Sequence, residues 1–381
     1  MKILIAAGGT GGHIYPGLAI ADKLKAEMPE AEITFVGSQV GMEKNIIPKE
    51  GYPIEYIRVR GFERELSMET LAAIKGIFDG LKDSKKLIAS YKPDLVIGTG
   101  GFTCGPLLLQ ASKKGIPTMI HEQNAFPGKT NRMLGKKVDR VAISFEEAAQ
   151  YFPKEKVFLS GNPVRTVYKK TDRKALRMKL GLKENQKMVV IMGGSQGAGS
   201  INDAAVTFIA KNRGRTDRVI YHLTGKNQYN KVLENLKESS VKLEKYASIH
   251  ILPYSDDVHT LIGAGDLVVS RSGAMSVAEI AAVGIPSIFV PYPMAAGNHQ
   301  EFNARVITDN GGGVLIYDGE LKGALLTETI DHLLEDQSSL DKMREATQGI
   351  AILDADQRIY AEVCQLIKKW TKLNKKDDKN L

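Results

Sequence analysis

Ile3-Leu4-Ile5-Ala6-Ala7-Gly8-Gly9-Thr10-Gly11-Gly12-His13 decides the fold, together with its echo Met188-Val189-Val190-Ile191-Met192-Gly193-Gly194-Ser195-Gln196-Gly197. Each stretch is an unbroken apolar run of strand length that empties into a glycine-rich turn. Continuous apolar residues, rather than alternating ones, mark a strand covered on both faces, as in a parallel sheet. Glycines placed directly after such a strand let the backbone turn sharply and bring N–H groups close to an anion. The echo at 188 predicts two halves that each begin in this way.

Working outward, β-rich runs alternate with amphipathic stretches along the whole chain. Strands are predicted at 3–7, 33–37, 54–58, 95–99, 117–121 and 140–143, with helices at 16–28, 67–91 and 105–114. In the second half the strands fall at 188–192, 218–223, 249–252, 267–269, 287–290 and 313–315. This alternation predicts an α/β fold of two Rossmann-like domains facing a cleft. The pattern loosens at Ser160-Gly161-Asn162-Pro163-Val164-Arg165 and runs on through a charged segment, 169–187. The domains are therefore expected at 1–162 and 163–353. A last helix, 354–370, is expected to rejoin the first domain, and the Lys-rich stretch 368–379 is read as a frayed tail.

Composition agrees with this plan and removes several function classes. A chain of 381 residues exceeds the ~250–300 that one hydrophobic core supports. With 43% hydrophobic and 25% charged residues, it is neither disordered nor fibrous. Two cysteines, Cys104 and Cys364, cannot build a disulfide framework or a Cys-rich zinc site, so a reducing cytosol is expected. The opening MKILIAAGG lacks a long apolar region and a cleavage site, so no secretory signal is expected. No run approaches the ~18–20 apolar residues of a membrane-spanning helix. The net charge of +8 suits nucleic acid, anionic lipid or phosphorylated small molecules. Neither a helix-turn-helix signature nor an aromatic–basic stacking pattern is present, so nucleic acid is not the expected partner.

Three glycine-bearing turns follow predicted strands: 8–13, 193–200 and Arg271-Ser272-Gly273-Ala274-Met275-Ser276. None carries the Lys-Ser/Thr pair of a P-loop, and Ile14 breaks the dinucleotide fingerprint begun by Gly9-Thr10-Gly11. ATP hydrolysis and NAD redox chemistry both lose ground. The pair Asp354-Ala355-Asp356 sits at the start of the last helix, away from every glycine turn, and reads as helix N-terminal charge rather than a metal site.

The ordered set Gly8-Gly9-Thr10-Gly11-Gly12-His13, Gly100-Gly101-Phe102, His121-Glu122-Gln123-Asn124, Gly193-Gly194-Ser195-Gln196-Gly197 and Arg271-Ser272-Gly273-Ala274 through Glu279 resembles the MurG family of bacterial N-acetylglucosaminyltransferases. The resemblance covers essentially the whole chain. It implies the glycosyltransferase B fold, a lipid-linked acceptor on the N-terminal half and a UDP-sugar mainly on the C-terminal half. The implied reaction moves GlcNAc from UDP-GlcNAc to the 4-hydroxyl of undecaprenyl-diphospho-N-acetylmuramoyl-pentapeptide (lipid I), inverting the anomeric centre and forming lipid II. No cofactor and no metal are implied. A related transferase that gives a UDP-sugar to another lipid is the alternative, and the N-terminal motifs favour lipid I.

Each implied role falls on a matching residue. His13 is the expected base, since an imidazole with a pKa near ~6.5 takes a proton at neutral pH. Glu122 is its rival, or a partner that polarises it. Thr10, Gly11 and Gly12 bind substrate beside His13. Ser195, Gln196 and the turn with Ala274, Met275 and Ser276 stabilise the departing diphosphate through N–H groups and a helix N-terminus. Glu279 accepts the ribose hydroxyls, Ser255 lies in the loop that closes on uracil, and Arg165 binds the donor. Asn124 and Gln300 contact sugar or phosphate. The family often has Gln-Gln where this chain has His299-Gln300.

Ile74, Ile77, Phe78 and Leu81 fall at i, i+3, i+4 and i+7, with Lys75, Lys82, Lys85 and Lys86 nearby. On sequence alone this stripe is either core or a docking face for anionic lipid. The resemblance implies the latter, with Lys136 and Lys137 in the same patch and the protein peripheral on the cytoplasmic side of the cell membrane. It also implies partners among cell-wall synthesis and division proteins.

Overall fold

The computed structural model describes residues 1–59, 68–194 and 196–377, with the backbone alone for 68–74 and 372–377. The chain divides into two compact units, Met1–Val164 with Ile352–Leu381, and Arg165–Ala351.

The first unit is built on β1 (Lys2–Ala7), β2 (Glu32–Gly37), β3 (Ile54–Tyr56), β4 (Leu95–Gly100), β5 (Thr118–Glu122), β6 (Arg140–Ile143) and β7 (Val157–Leu159). All pairings are parallel, in the order β3-β2-β1-β4-β5-β6-β7. Residues Ile3 to Ala7 of β1 are fully buried, as a strand covered on both faces must be. Their side chains alternate between two cores. Ile3, Ile5 and Ala7 pack with the helix Gly11–Glu27, while Leu4 and Ala6 pack with Val96, Leu107 and Leu108.

The chain returns to this unit through the helix Ala355–Asp377, whose Ile359, Val363 and Leu366 enter the same core as Ile3 and Ile5. The expectation of a frayed tail from 368 needs correction. The helix continues to Asp377, and the Trp370 indole N–H donates to the Gly115 carbonyl at 3.1 Å. Lysine is a good helix former, so the Lys-rich stretch continues a helix whose preceding turns Ile359, Val363 and Leu366 already anchor; 378 and 379 lie outside the described residues. Strand β7 was not anticipated either. Its three half-buried residues pair with β6 at the sheet edge and carry too short a pattern to read.

The second unit holds β8 (Lys187–Met192), β9 (Arg218–Leu223), β10 (Ile249–Leu252), β11 (Leu267–Ser270), β12 (Ser287–Phe289) and β13 (Gly313–Leu315), ordered β10-β9-β8-β11-β12-β13 and parallel throughout. The charged segment that loosened the sequence pattern contains the helix Arg173–Lys179. Arg173 and Arg177 pin it to the sheet by pairing with the buried Asp266 at 2.6 and 3.0 Å. Asp266 also accepts the Met188 N–H at 2.7 Å, so a charge that would be costly alone is fully engaged.

In both sheets the strand order reverses beside the central strand, between β1 and β4 and between β8 and β11. Connections leave to opposite sides there, which opens a crevice at the carboxyl ends of the strands. The turns that follow β1, β8 and β11 are the three singled out by their glycines, and the turn after β4 carries Gly100-Gly101-Phe102.

Candidate active site

In the first unit the turn after β1 is shaped around one peptide group. Gly9 adopts φ +87°, a conformation open to glycine and strained for other residues. His13, in the first turn of the helix Gly11–Glu27, directs Nδ1 at the Gly8 carbonyl, 3.1 Å away. A carbonyl only accepts, so the Nδ1 proton is donated and the neutral ring carries its lone pair on Nε2. Room for the ring comes from Gly100 at the end of β4, where a Cβ would fall 2.4 Å from the imidazole. Gly101, at φ +87°, lets the two turns touch, since a Cβ there would lie 2.3 Å from the Gly8 oxygen. Thr10 and Gly12 are exposed and Gly11 is half-buried at the same helix N-terminus.

Glu122 ends β5 and is 1% exposed. Its Oε1 accepts the N–H and the side-chain amide of Asn124, both at 3.0 Å. Its Oε2 accepts the Gly128 N–H at 3.1 Å and the Asn131 amide at 2.9 Å. The carboxylate therefore organises the loop that carries Asn124. His121 beside it is fully buried, its Nε2 facing the Gly161 carbonyl at 3.1 Å and its Nδ1 facing the Gln123 amide at 2.9 Å. Burial pushes this imidazole down to about 4, so it stays neutral. Thr99 ties the two places together. Its hydroxyl donates to the His13 carbonyl at 2.7 Å, and its carbonyl accepts the Gln123 amide at 2.8 Å. Burial likewise holds Cys104 as a thiol, with its pKa pushed up to about 12.

In the second unit the turn after β8 has Gly194 at φ +87° and Gly197 at φ +79°. A Cβ on Gly197 would lie 2.2 Å from the Thr224 carbonyl, so only glycine lets this turn rest on the end of β9. Ser195 lies outside the described residues, and Gln196 is exposed. After β11, Arg271 spreads its guanidinium over the Val290 and Pro291 carbonyls, each at 3.0 Å, and pairs with Asp318 at 2.5 Å. The helix Ala274–Val283 then begins, with Gly273 as its cap and no side chain closing its first N–H groups. Ala274, Met275 and Ser276 form that first turn. Ser272 donates to the Gln300 carbonyl at 2.7 Å, and the Gln300 side-chain oxygen accepts the Tyr292 N–H at 3.0 Å. The Ser255 hydroxyl accepts the Asp257 N–H at 3.1 Å, bracing the loop after β10.

Glu279, in the second turn of that helix, meets Arg165 and the buried Tyr168. Arg165 donates to the Tyr168 hydroxyl at 3.1 Å, and this hydroxyl also hydrogen-bonds Glu279. Burial pushes the Glu279 carboxyl up to about 7 against the opposing pull of Arg165 and Tyr168. The structure thus gathers Arg165 and Glu279 into one group. Tyr168, the Arg271 fork and Glu43 (below) were not assigned roles from sequence. Tyr168 and Glu43 are lone residues in unremarkable context, and only Arg271 stood within a motif. Among the described residues, no cluster of three His, Cys, Asp or Glu side chains forms a metal group. The side chain of Ile74 lies outside the described residues, whereas Ile77 and Phe78 are exposed and Leu81 is half-buried.

Two parallel-sheet units, each with glycine turns at its strand-order reversal, make a paired Rossmann-like architecture, and the comparisons with known proteins give it a glycosyltransferase class. A model of the glycosyltransferase family 28 N-terminal domain matches residues 3–143, and one of the glycosyltransferase family 28 C-terminal domain matches residues 188–359. The UDP-N-acetylglucosamine–N-acetylmuramyl-(pentapeptide) pyrophosphoryl-undecaprenol N-acetylglucosamine transferase of Acetivibrio thermocellus is 45% identical, covering 97% of this chain and 99% of its own. The transferase of the same name from Caldanaerobacter subterraneus subsp. tengcongensis is 43% identical, covering 97% and 100%. Among solved structures, Acinetobacter baumannii MurG superposes with a TM-score of 0.76 at 26% identity, covering 97% of this chain and 99% of that one. The chain belongs to glycosyltransferase family 28, and within it to the MurG family of N-acetylglucosamine transferases.

The raised Glu279 pKa has a stability consequence. The folded state holds this proton up to about pH 7, whereas the unfolded chain releases it near 4.5. Between those values the unfolded state binds fewer protons, so this residue lowers stability as pH rises. Glu279→Gln is expected to exceed the wild type in stability at pH 8 by roughly 1–3 kcal/mol. The gain is expected to vanish near pH 4.5 in urea titrations. A variant less stable at pH 8 than at pH 5, relative to wild type, contradicts the assignment.

Proposed function

We propose that the chain transfers GlcNAc from UDP-GlcNAc to the 4-hydroxyl of the muramoyl sugar of lipid I, forming lipid II for peptidoglycan. The observation that carries this reading is the full-length likeness to transferases named for that reaction. The mechanism in this reading is a direct displacement. The acceptor oxygen attacks the anomeric carbon, the bond from that carbon to the diphosphate breaks, and UDP departs with the electron pair. The acceptor proton passes to Nε2 of His13, whose Nδ1 is already committed to the Gly8 carbonyl. Glu122 is not assigned the proton, because its oxygens are occupied by four N–H donors. It holds Asn124 in place for the acceptor, alongside the turn of Thr10, Gly11 and Gly12.

UDP-GlcNAc occupies the second unit in this reading. Glu279 takes the ribose hydroxyls with Arg165 beside it, the Ser255 loop closes on uracil, and Gln300 meets the sugar or phosphate. The departing diphosphate rests on N–H groups of the turn with Ser195 and Gln196 and on the first turn of Ala274–Val283, with Met275 and Ser276. Charge stabilisation of this kind needs no divalent metal. Asp354 of the Asp-x-Asp pair is salt-bridged to Arg358 at 2.9 Å, which supports its reading as helix charge.

The enzyme works at the cytoplasmic face of the membrane that holds its acceptor. No helix among the described residues is long and apolar enough to cross a membrane. In the helix Met68–Tyr91, Gly80, Ser84 and Ile88 turn inward, while Phe78 is 69% exposed and flanked by the exposed Lys75, Lys82, Lys85 and Lys86. An aromatic ring among lysines suits insertion into an anionic leaflet, each lysine adding ~1 kcal/mol near the surface. Cell-wall synthesis and division proteins are the partner class this location implies, and nucleic acid is not a partner.

Two measurements test this reading. Purified protein given UDP-GlcNAc and a short-chain lipid I analogue is expected to release UDP with EDTA present, and His13→Ala is expected to lose ~10²-fold or more in rate. Release that requires added metal contradicts the mechanism. No release from protein that still binds UDP-GlcNAc redirects the assignment to another lipid acceptor. For the membrane face, Phe78→Asp is expected to weaken binding to anionic phospholipid vesicles by about tenfold and to leave UDP-GlcNAc affinity unchanged. Unaltered vesicle binding contradicts the docking face.

A further inference from the structure

Glu43 is fully buried, and among the described residues no Lys or Arg pairs with it. A carboxylate withdrawn from water in this way is costly unless donors replace its hydration. Its Oε1 accepts the Ser38 N–H and the Ser38 hydroxyl, each at 2.8 Å. Its Oε2 accepts the Gly9 N–H at 2.9 Å. The chain clears space for it at two glycines: a Cβ would fall 2.6 Å from the Glu43 Cγ at Gly37 and 1.9 Å from its Oε2 at Gly41. A site hollowed out around a buried charge at the edge of the catalytic turn asks for a purpose beyond packing.

The partner it holds supplies one. The Gly9 N–H and the Gly8 carbonyl belong to the same peptide group. That carbonyl is the atom 3.1 Å from Nδ1 of His13. Carboxylate, peptide and imidazole therefore form one continuous chain, Glu43 to Gly9 N–H, Gly8 C=O to His13 Nδ1–H. An amide whose N–H donates to a carboxylate carries more negative charge on its oxygen, because hydrogen bonds in series polarise one another. The oxygen then binds the Nδ1 proton more tightly. This favours the tautomer with its lone pair on Nε2 and stabilises the imidazolium formed when Nε2 takes a proton.

We propose that Glu43 is a positioning residue for the transfer reaction, acting on His13 through the Gly8–Gly9 peptide to fix the tautomer that leaves Nε2 as the base. The proposal rests on His13 being that base. It places a carboxylate behind the histidine without direct contact, the peptide standing between them as the polarisable link. Glycine at position 9 permits the φ of +87° at this link, and Gly8 leaves room where a Cβ would come within 3.1 Å of the Glu43 carboxylate.

The test uses the full chain, labelled with 15N-histidine, with lipid I analogue and UDP-GlcNAc as substrates. In the wild type, His13 is expected to show its neutral-state proton on Nδ1. In Glu43→Gln, which keeps the size and removes the charge, a measurable fraction is expected to move to Nε2. The kcat is expected to fall about tenfold with the KM for UDP-GlcNAc unchanged. In the double variant Glu43→Gln/His13→Ala, the rate is expected to match His13→Ala alone within about twofold, because the carboxylate acts only through the ring. A wild-type proton on Nε2, or a tautomer and kcat unmoved in Glu43→Gln, overturns the proposal. If Glu43→Gln does not fold, Glu43→Asp, which shortens the reach to Gly9, takes its place with the same expectations. His13→Ala that keeps full activity sinks the base assignment instead, and the tautomer measurement still reports on the relay separately.

Discussion

A strand buried on both faces cannot place a polar side chain along its length without cost, so chemistry must gather where the strand ends. Strands β1 and β8 impose this constraint on their units. Each lies where the strand order reverses, so the turns after β1 and β4, and after β8 and β11, are left beside one another at the carboxyl edge. The glycines there have geometric reasons. Gly101 and Gly197 sit where a Cβ would meet a carbonyl oxygen at 2.3 and 2.2 Å, and Gly100 leaves the volume that the His13 ring fills. Backbone approach, rather than side-chain chemistry, makes both sites.

Once the backbone is brought so close, a buried carboxylate or imidazole needs hydrogen-bond partners, and this accounting orders much of the first unit. Glu122 is satisfied by four donors in one loop, and His121 is kept neutral between Gly161 and Gln123. Glu43 is satisfied by Ser38 and Gly9. These groups hold the loops that carry the exposed Thr10 and Gly12 and the half-buried His13 and Asn124. In the second unit the Arg271 fork braces the chain at Val290 and Pro291, and Arg165, Tyr168 and Glu279 engage one another.

Much of this was legible before the structure because the signals are local. An apolar run followed by glycines marks β1 and β8 without any knowledge of their neighbours, and the histidine that closes the first turn stands in the same short window. What escaped was set by distance along the chain. Glu43 meets Gly9 across 34 residues, and Tyr168 meets Glu279 across a longer gap. No periodicity marks either partner. Strand β7 is too short to announce itself, and the Lys-rich composition after 368 gives no sign that the helix carrying Ile359, Val363 and Leu366 runs on to Asp377. The stripe at Ile77 and Phe78 could be read as core or surface, and only exposure decides between them.

The account comes down to one chemical event: a base of fixed tautomer takes a proton as the acceptor oxygen displaces UDP in a single step. A single displacement inverts the sugar, whereas a covalent glycosyl-enzyme intermediate retains it. The most direct measurement is the anomeric configuration of the transferred GlcNAc, read from the proton coupling at its anomeric carbon in the purified product. UDP-GlcNAc carries the α configuration, so the account predicts a β-linked GlcNAc. An α-linked product contradicts direct displacement and removes the role given to His13.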